Sequence, residues 1–223
     1  MEQQTIATNL EDRLLGDLAA QIPGATRVFR EHRLDFCCHG DRPLRLAAQQ
    51  QGVDLQAVVE QLVATNTGVE PDEAMTTDAL IGHILERYHA MHREELPELI
   101  HLARKVEDVH QNHPEAPRGL ATTLEAGFAR LDAHMQHEET ALFPQMQEAS
   151  NAVPAPLLEQ LRHEHGSHGE FLAELESLTN GFRPPEGACR TWKALYAGTR
   201  RFVNDVMEHV HLENNVLFRR LSV

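Results

Sequence analysis

The sequence predicts an all-α protein: a small helical module with two adjacent cysteines, then an up-down-up-down four-helix bundle. Three observations predict it. Hydrophobic residues make up 41% of the 223 and aromatics only 5%, and the apolar positions are mostly Leu, Ala and Val, a mix that favours helices. From Thr77 onward, four long stretches repeat apolar residues at a period near 3.6. The connections between them are about 6–12 residues long, which makes consecutive helices antiparallel neighbours.

Residues 1–10 are polar and expected to fray. LLGDLAAQ forms the first short helix and Pro23-Gly24 ends it; ATRVFREHRL comes next. Asp35 to Pro43, DFCCHGDRP, reads as a turn. LRLAAQQQ and DLQAVVEQLVAT complete the module, with Asp54 as the N-cap of the second. The domains are expected at 1–70 and 77–223, joined by the polar, Gly- and Pro-containing linker Thr67–Asp78. The first long helix runs from about Thr77 to Val109, with Leu80, Ile84, Tyr88, Leu96, Leu99 and Ala103 on its apolar stripe. Pro97 is a candidate kink. HQNHPEAPRG turns the chain into the second, from about Leu120 to Ala149. The third runs from about Pro156 to Leu178 and the fourth from about Ala188 to Leu221.

Composition removes several functions. A formal net charge of −14 argues against nucleic acid and anionic membrane surfaces as partners. No apolar run approaches the roughly 18 residues of a membrane span. The first residues have no signal-peptide core, and three cysteines make no disulfide framework. The expectation is a cytoplasmic protein in a reducing compartment. There is no phosphate-binding Gly-rich loop, nucleophile elbow or zinc-finger spacing.

The fifteen histidines point to imidazole-ligated metal. His134 and Glu138 lie four residues apart, on one helix face. The same spacing returns at His209 and Glu213, and Leu142-Phe143 and Leu217-Phe218 close the two motifs alike. His89 is about 25 residues from the turn near residue 114 and His134 about 20, so at 1.5 Å per residue they reach a similar height. The same count from the later turns brings His165 and His209 level with them. Six side chains from four helices thus converge: His89, His134, Glu138, His165, His209 and Glu213. Bridging carboxylates with several imidazoles suit a pair of iron ions; zinc, with fewer ligands and tetrahedral closure, is the alternative. Open coordination positions would admit O2 or NO. His101, His110 and His113 are too far along the first helix. His92, His137, His168 and His211 are expected on the surface or in support of the ligands, as are Glu139, Glu164, Glu208 and Asn214.

These residues carry a resemblance. RYHAMHREELPEL, HMQHEETALFP, EHGSHGEFL, TWKALY and HVHLENNVLF resemble the hemerythrin-like domain. Together with DFCCHG the chain resembles the RIC (repair of iron centres) family from about Leu14 to Leu221. The resemblance implies a non-haem di-iron protein, made under nitrosative or oxidative stress, that restores damaged iron–sulfur clusters in other proteins. Its ligands fall on the six residues above, with Glu138 and Glu213 bridging two Fe ions beside an oxo or hydroxo group. His137 stands where the family commonly has Lys, and His211 replaces a small polar residue. Gly169 stands where hemerythrins have a second histidine in the third helix.

Cys37 and Cys38 sit beside His39 and Arg42, whose positive charge would lower a thiol pKa. A disulfide between adjacent cysteines is strained and readily reduced. The functional reading is a redox- or nitrosylation-sensitive pair serving the iron site; the alternative is two structural cysteines. Cys189 is expected to be structural. The main rivals to repair are reduction of NO to nitrous oxide, and an O2 or NO sensor or carrier. A homodimer through the N-terminal module is a further expectation.

Overall fold

The structure is a computed structural model that describes residues 10–65, 75–148 and 153–221. The expected leader, most of the linker and part of the turn after the second long helix lie outside those residues. The described residues are helical and hold no strand, beyond one isolated antiparallel bridge between Leu14 and Pro43. The chain divides into two compact units, Ile81–Val206 and, with the chain's two ends together, Met1–Leu80 plus Met207–Val223.

In the unit that includes both ends, four short helices surround Leu15, Leu18, Phe29, Phe36, Leu44 and Leu62, all fully or almost fully buried. They are α1 (Leu15–Gln21), α2 (Ala25–Glu31), α3 (Leu44–Gln51) and α4 (Leu55–Thr65). Gly24, at φ 84°, makes the left-handed turn from α1 into α2. The Asp54 carboxylate accepts the Gln56 N–H at 3.0 Å, which caps α4. The turn carrying the cysteines is strapped to the start of α1. Leu15 N donates to Arg42 O at 2.9 Å and Gly16 N to Gly40 O at 2.8 Å.

The chain's last residues complete this unit. The last turn of α10 (Arg190–His211) belongs to it, with a π-helical segment, Leu212–Leu217, and a 3₁₀ turn, Phe218–Arg220, after it. Asn214 Nδ2 donates to the Cys37 carbonyl and Asn215 Nδ2 to the Phe36 carbonyl, each at 3.0 Å. The Phe36 ring meets His211 edge-on at 5.5 Å, and Arg30 pairs with Glu208 and Arg219 with Asp17.

The other unit is the bundle. Its first helix begins in α5 (Thr77–His83), passes through a π segment, Ile84–His89, and continues as α6 (Ala90–Val109). The second is α7 (Leu120–His137), a π segment, Glu138–Leu142, and α8 (Phe143–Gln147); the third is α9 (Ala155–Leu178). Cross-helix pairs give the directions. Along α6, Arg93, Arg104 and Glu107 meet Asp132, Glu125 and the Ala121 N–H in turn, so α6 and α7 are antiparallel. Thr123, Gly127 and His134 of α7 meet Glu174, Phe171 and Glu164 of α9. Arg87, Glu95 and Leu99 meet Asp205, Arg201 and Gly198 of α10. Phe171 and Phe202 close the ring between α9 and α10, 6.3 Å apart. This is the up-down-up-down arrangement.

The expected helices are present, but three of the four are not α-helical throughout. A π turn carries one extra residue and rotates the rest of its helix by roughly 100°. The periodicity at Ile84–His89, Glu138–Leu142 and Leu212–Leu217 does not reveal it.

One close approach in the bundle is at Gly127, where an added Cβ would lie 2.1 Å from the buried Phe171 ring. Gly127→Ala is expected to cost about 1–3 kcal/mol by overpacking and to lower the thermal midpoint by several degrees, read by circular dichroism. An unchanged midpoint would mean the ring moves aside freely.

Candidate metal centre

Glu138 is where the bundle's ligand candidates meet. It opens the π segment of the second helix and is wholly buried. His134, one turn earlier, places Nε2 3.3 Å from Oε1 of Glu138. His89, last residue of the π segment in the first helix, places Nε2 3.5 Å from Oε2. His165 of α9 lies 4.0 Å from Oε1. The Nε2 atoms of His134 and His165 are 2.9 Å apart. Two donors about 2.0–2.1 Å from one ion stand roughly 2.9–3.4 Å apart, and the His134–Glu138 and His134–His165 spacings fall in that range. All three imidazoles are essentially inaccessible to solvent.

The ring nitrogens facing outward are held too. Nδ1 of His89 bonds to Glu139 at 2.8 Å, and Nδ1 of His134 to Glu164 at 2.7 Å. With the proton on Nδ1, the Nε2 lone pair of each ring faces Glu138, as in carboxylate–histidine–metal chains. Arg93 reaches Glu139 at 2.7 Å and Asp132 at 2.7 Å. Burial alone would raise the Glu139 pKa, but hydrogen bonds from Arg93 and His89 outweigh it and hold it below its ordinary value. At Glu164 burial likewise pushes the pKa up, but bonds from His134 and Gln160 outweigh it and hold the carboxyl below its ordinary value. Glu139→Ala and Glu164→Ala are each expected to weaken iron binding about 10–100-fold, measured by chelator competition. Affinity within twofold of the parent would mean packing alone orients the rings.

In the other unit, His209 and Glu213 form the second i,i+4 pair, Nε2 to Oε1 at 3.0 Å, both fully buried. Glu213 sits in the π segment whose next two residues, Asn214 and Asn215, hold the cysteine turn.

Three of the remaining histidines are not on the surface. His92 packs between Tyr88 and Phe202. His168 lies edge-on to His134 with ring centres 4.7 Å apart. His211 bonds through Nδ1 to Asn215 at 3.1 Å, and burial, with Arg219 and Arg30 nearby, pulls its pKa down to about 3. His137 is half-buried and His101 exposed. His110 bonds to the Val106 carbonyl and, with His113, covers Trp192.

Cys37 and Cys38 have their sulfurs 3.7 Å apart and form no disulfide. The expected lowering of thiol pKa is reversed at Cys37. A hydrogen bond to the Cys38 sulfur, burial and the Asp35 carboxylate push it well above its ordinary value. The positive charges go elsewhere: His39 bonds to Asp35 at 2.6 Å and Arg42 to Gln50 at 3.1 Å. Sequence reasoning passed over Asp35, although it stands two residues before the thiols. It also missed Arg93 and Asp132, whose role depends on register between helices.

A four-helix bundle that turns imidazoles toward a buried carboxylate is a cation-binding bundle of the hemerythrin type. Residues 80–221 match the hemerythrin HHE cation binding domain, and the buried His and Glu groups fit iron. Residues 11–66 match ScdA_N, described as a domain of unknown function (DUF542). The chain is 44% identical over 212 residues to the iron–sulfur cluster repair protein YtfE of Pectobacterium atrosepticum, covering 94% of this chain and 96% of that one. It is 45% identical over 209 residues to the YtfE of Yersinia pseudotuberculosis serotype O:1b, covering 92% and 95%. The chain belongs to this YtfE family of iron–sulfur cluster repair proteins. No helix among the described residues is long and apolar enough to cross a membrane.

Proposed function

We propose that the chain is a cytoplasmic protein of two domains, 1–70 and 77–223, that holds two non-haem iron ions and repairs iron–sulfur clusters damaged by nitrosative or oxidative stress. The observation that carries this is the wholly buried Glu138 carboxylate facing Nε2 of three histidines from three helices. His209 and Glu213 complete the set: their pairing repeats that of His134 and Glu138, and all six residues lie within the span matching the cation-binding domain. In this reading Glu138 and Glu213 would supply the carboxylate ligands, and iron would supply the redox chemistry.

Iron bound there supplies a redox-active ion able to take NO or O2, or an ion to hand over. The protein's own part is to present imidazole lone pairs. Glu139 and Glu164 keep the protons on Nδ1, and burial keeps bulk water from competing for the carboxylates. The client would be a damaged iron–sulfur protein, as the relatives' names suggest.

The test is reactivation. The iron-loaded chain, added without oxygen to an NO-inactivated iron–sulfur enzyme, should restore its activity while losing iron. Catalytic loss of NO with an electron donor, and no reactivation, would make the chain an NO reductase instead. Purification with zinc, or with no metal after iron supply, would remove the redox reading.

A further inference from the structure

We propose that Asp35, Cys37 and Cys38 form a separate site for a thiophilic divalent cation of tetrahedral habit, with zinc as the reference ion. The site lies wholly in the turn between α2 and α3 and shares no residue with the histidine–carboxylate centre. Its three ligand atoms, one carboxylate oxygen and two sulfurs, all lie within 4.8 Å of one another.

The spacings match a metal polyhedron. With bonds of about 2.3 Å to sulfur and 2.0 Å to oxygen, a tetrahedral ion sets sulfur–sulfur edges near 3.8 Å and sulfur–oxygen edges near 3.5 Å. The Cys37 and Cys38 sulfurs stand 3.7 Å apart, and the Cys37 sulfur is 3.4 Å from Asp35 Oδ1. A disulfide would need the sulfurs at about 2.05 Å, so the turn as built holds the thiols at chelating distance.

The surroundings are those of a supported ligand set. Asp35 Oδ2 is bonded to His39 Nδ1 at 2.6 Å, which orients the carboxylate from behind. Asp35 Oδ1 accepts the Cys38 N–H at 3.0 Å, and Asn214 holds the Cys37 carbonyl. Cys37 is buried, whereas Asp35 and Cys38 are partly exposed. An ion can thus enter from solvent, and a fourth position faces water. Binding releases two thiol protons; the two thiolates and the carboxylate donate electron pairs, and no electron is transferred.

The experiment uses the full chain with its histidine–carboxylate centre already filled with iron. Cd(II), added without oxygen, reports thiolate ligation by its ultraviolet charge-transfer band. One further ion per chain is expected to bind with that band, displaced by Zn(II), while the iron count stays constant. Cys38→Ser, at a half-exposed position that tolerates the change, should abolish the band, as should Cys37→Ser. Asp35→Asn still accepts the Cys38 N–H but donates poorly to a metal, and should weaken binding at least tenfold with an unchanged thermal midpoint. No band in the parent chain, a band that survives Cys38→Ser, or parental affinity in Asp35→Asn would each overturn the proposal. The iron count is read in the same sample, so failure here is distinct from failure of the iron centre.

Discussion

Glu138→Ala is expected to empty the bundle of iron, from about two ions per chain to less than one. Glu138 receives three imidazoles from three helices and is itself inaccessible to solvent. No other carboxylate of the bundle unit shares that buried place among the described residues. Without it, His89, His134 and His165 keep their orientation but lose the anionic bridge. Metal analysis and the visible spectrum of protein purified under anaerobic conditions read the change. The metal-free forms supply the control. Burying a carboxylate carries a desolvation cost that its histidine partners only offset, so metal-free Glu138→Ala should melt no lower than the metal-free parent. Parental iron content in the variant would sink the assignment. A lower melting point without iron would instead make Glu138 a structural residue.

Gly40→Ala should produce the largest loss of stability. The glycine of DFCCHG has no room for a side chain: a Cβ would lie 2.8 Å from the Phe36 carbonyl oxygen and 2.3 Å from Asn215 Oδ1. Gly16, on the other side of that amide, is equally crowded at 2.2 Å. The Phe36 carbonyl cannot retreat without losing the hydrogen bond from Asn215. Overpacking of this kind costs about 1–3 kcal/mol, and a chain of this length loses roughly 2–4 °C per kcal/mol. Asn215→Ala in the same chain removes one of the two clashes, so the double variant should lose less than the sum of the singles. Additive losses, or an unchanged midpoint in Gly40→Ala, would show that Asn215 does not press on this turn.

The sequence revealed the two His–Glu pairs far better than how they are held. The two His–Glu pairs at i,i+4 were legible because that spacing stacks side chains on any helix, and the pairs survive the π segments at Glu138 and Leu212–Leu217. Helix directions were legible from short connections. What was hidden depends on contacts between segments distant in sequence. Arg93 supports His89 through Glu139 only because α6 and α7 meet at that register. The burial of His92, His168 and His211 depends on what packs against each helix face, and only His92 lies beyond a π segment of its own helix. At the cysteines the error was one of sign. His39 and Arg42 were close in sequence, but the group beside the sulfurs is the Asp35 carboxylate. Gly40 seemed a turn residue, yet its smallness serves an asparagine 175 positions later in the chain.

That asparagine bears on the order of synthesis. Phe36, Cys37 and Gly40 emerge from the ribosome well before Glu208, His211, Asn214, Asn215 and Arg219. At about 5–20 residues per second, the interval between the two is of the order of ten seconds or more. The N-terminal helices therefore wait, incomplete, until that later segment is made. Their final contacts form only when the bundle's last helix is available, so the cysteine turn reaches its finished geometry together with the segment that carries Glu213.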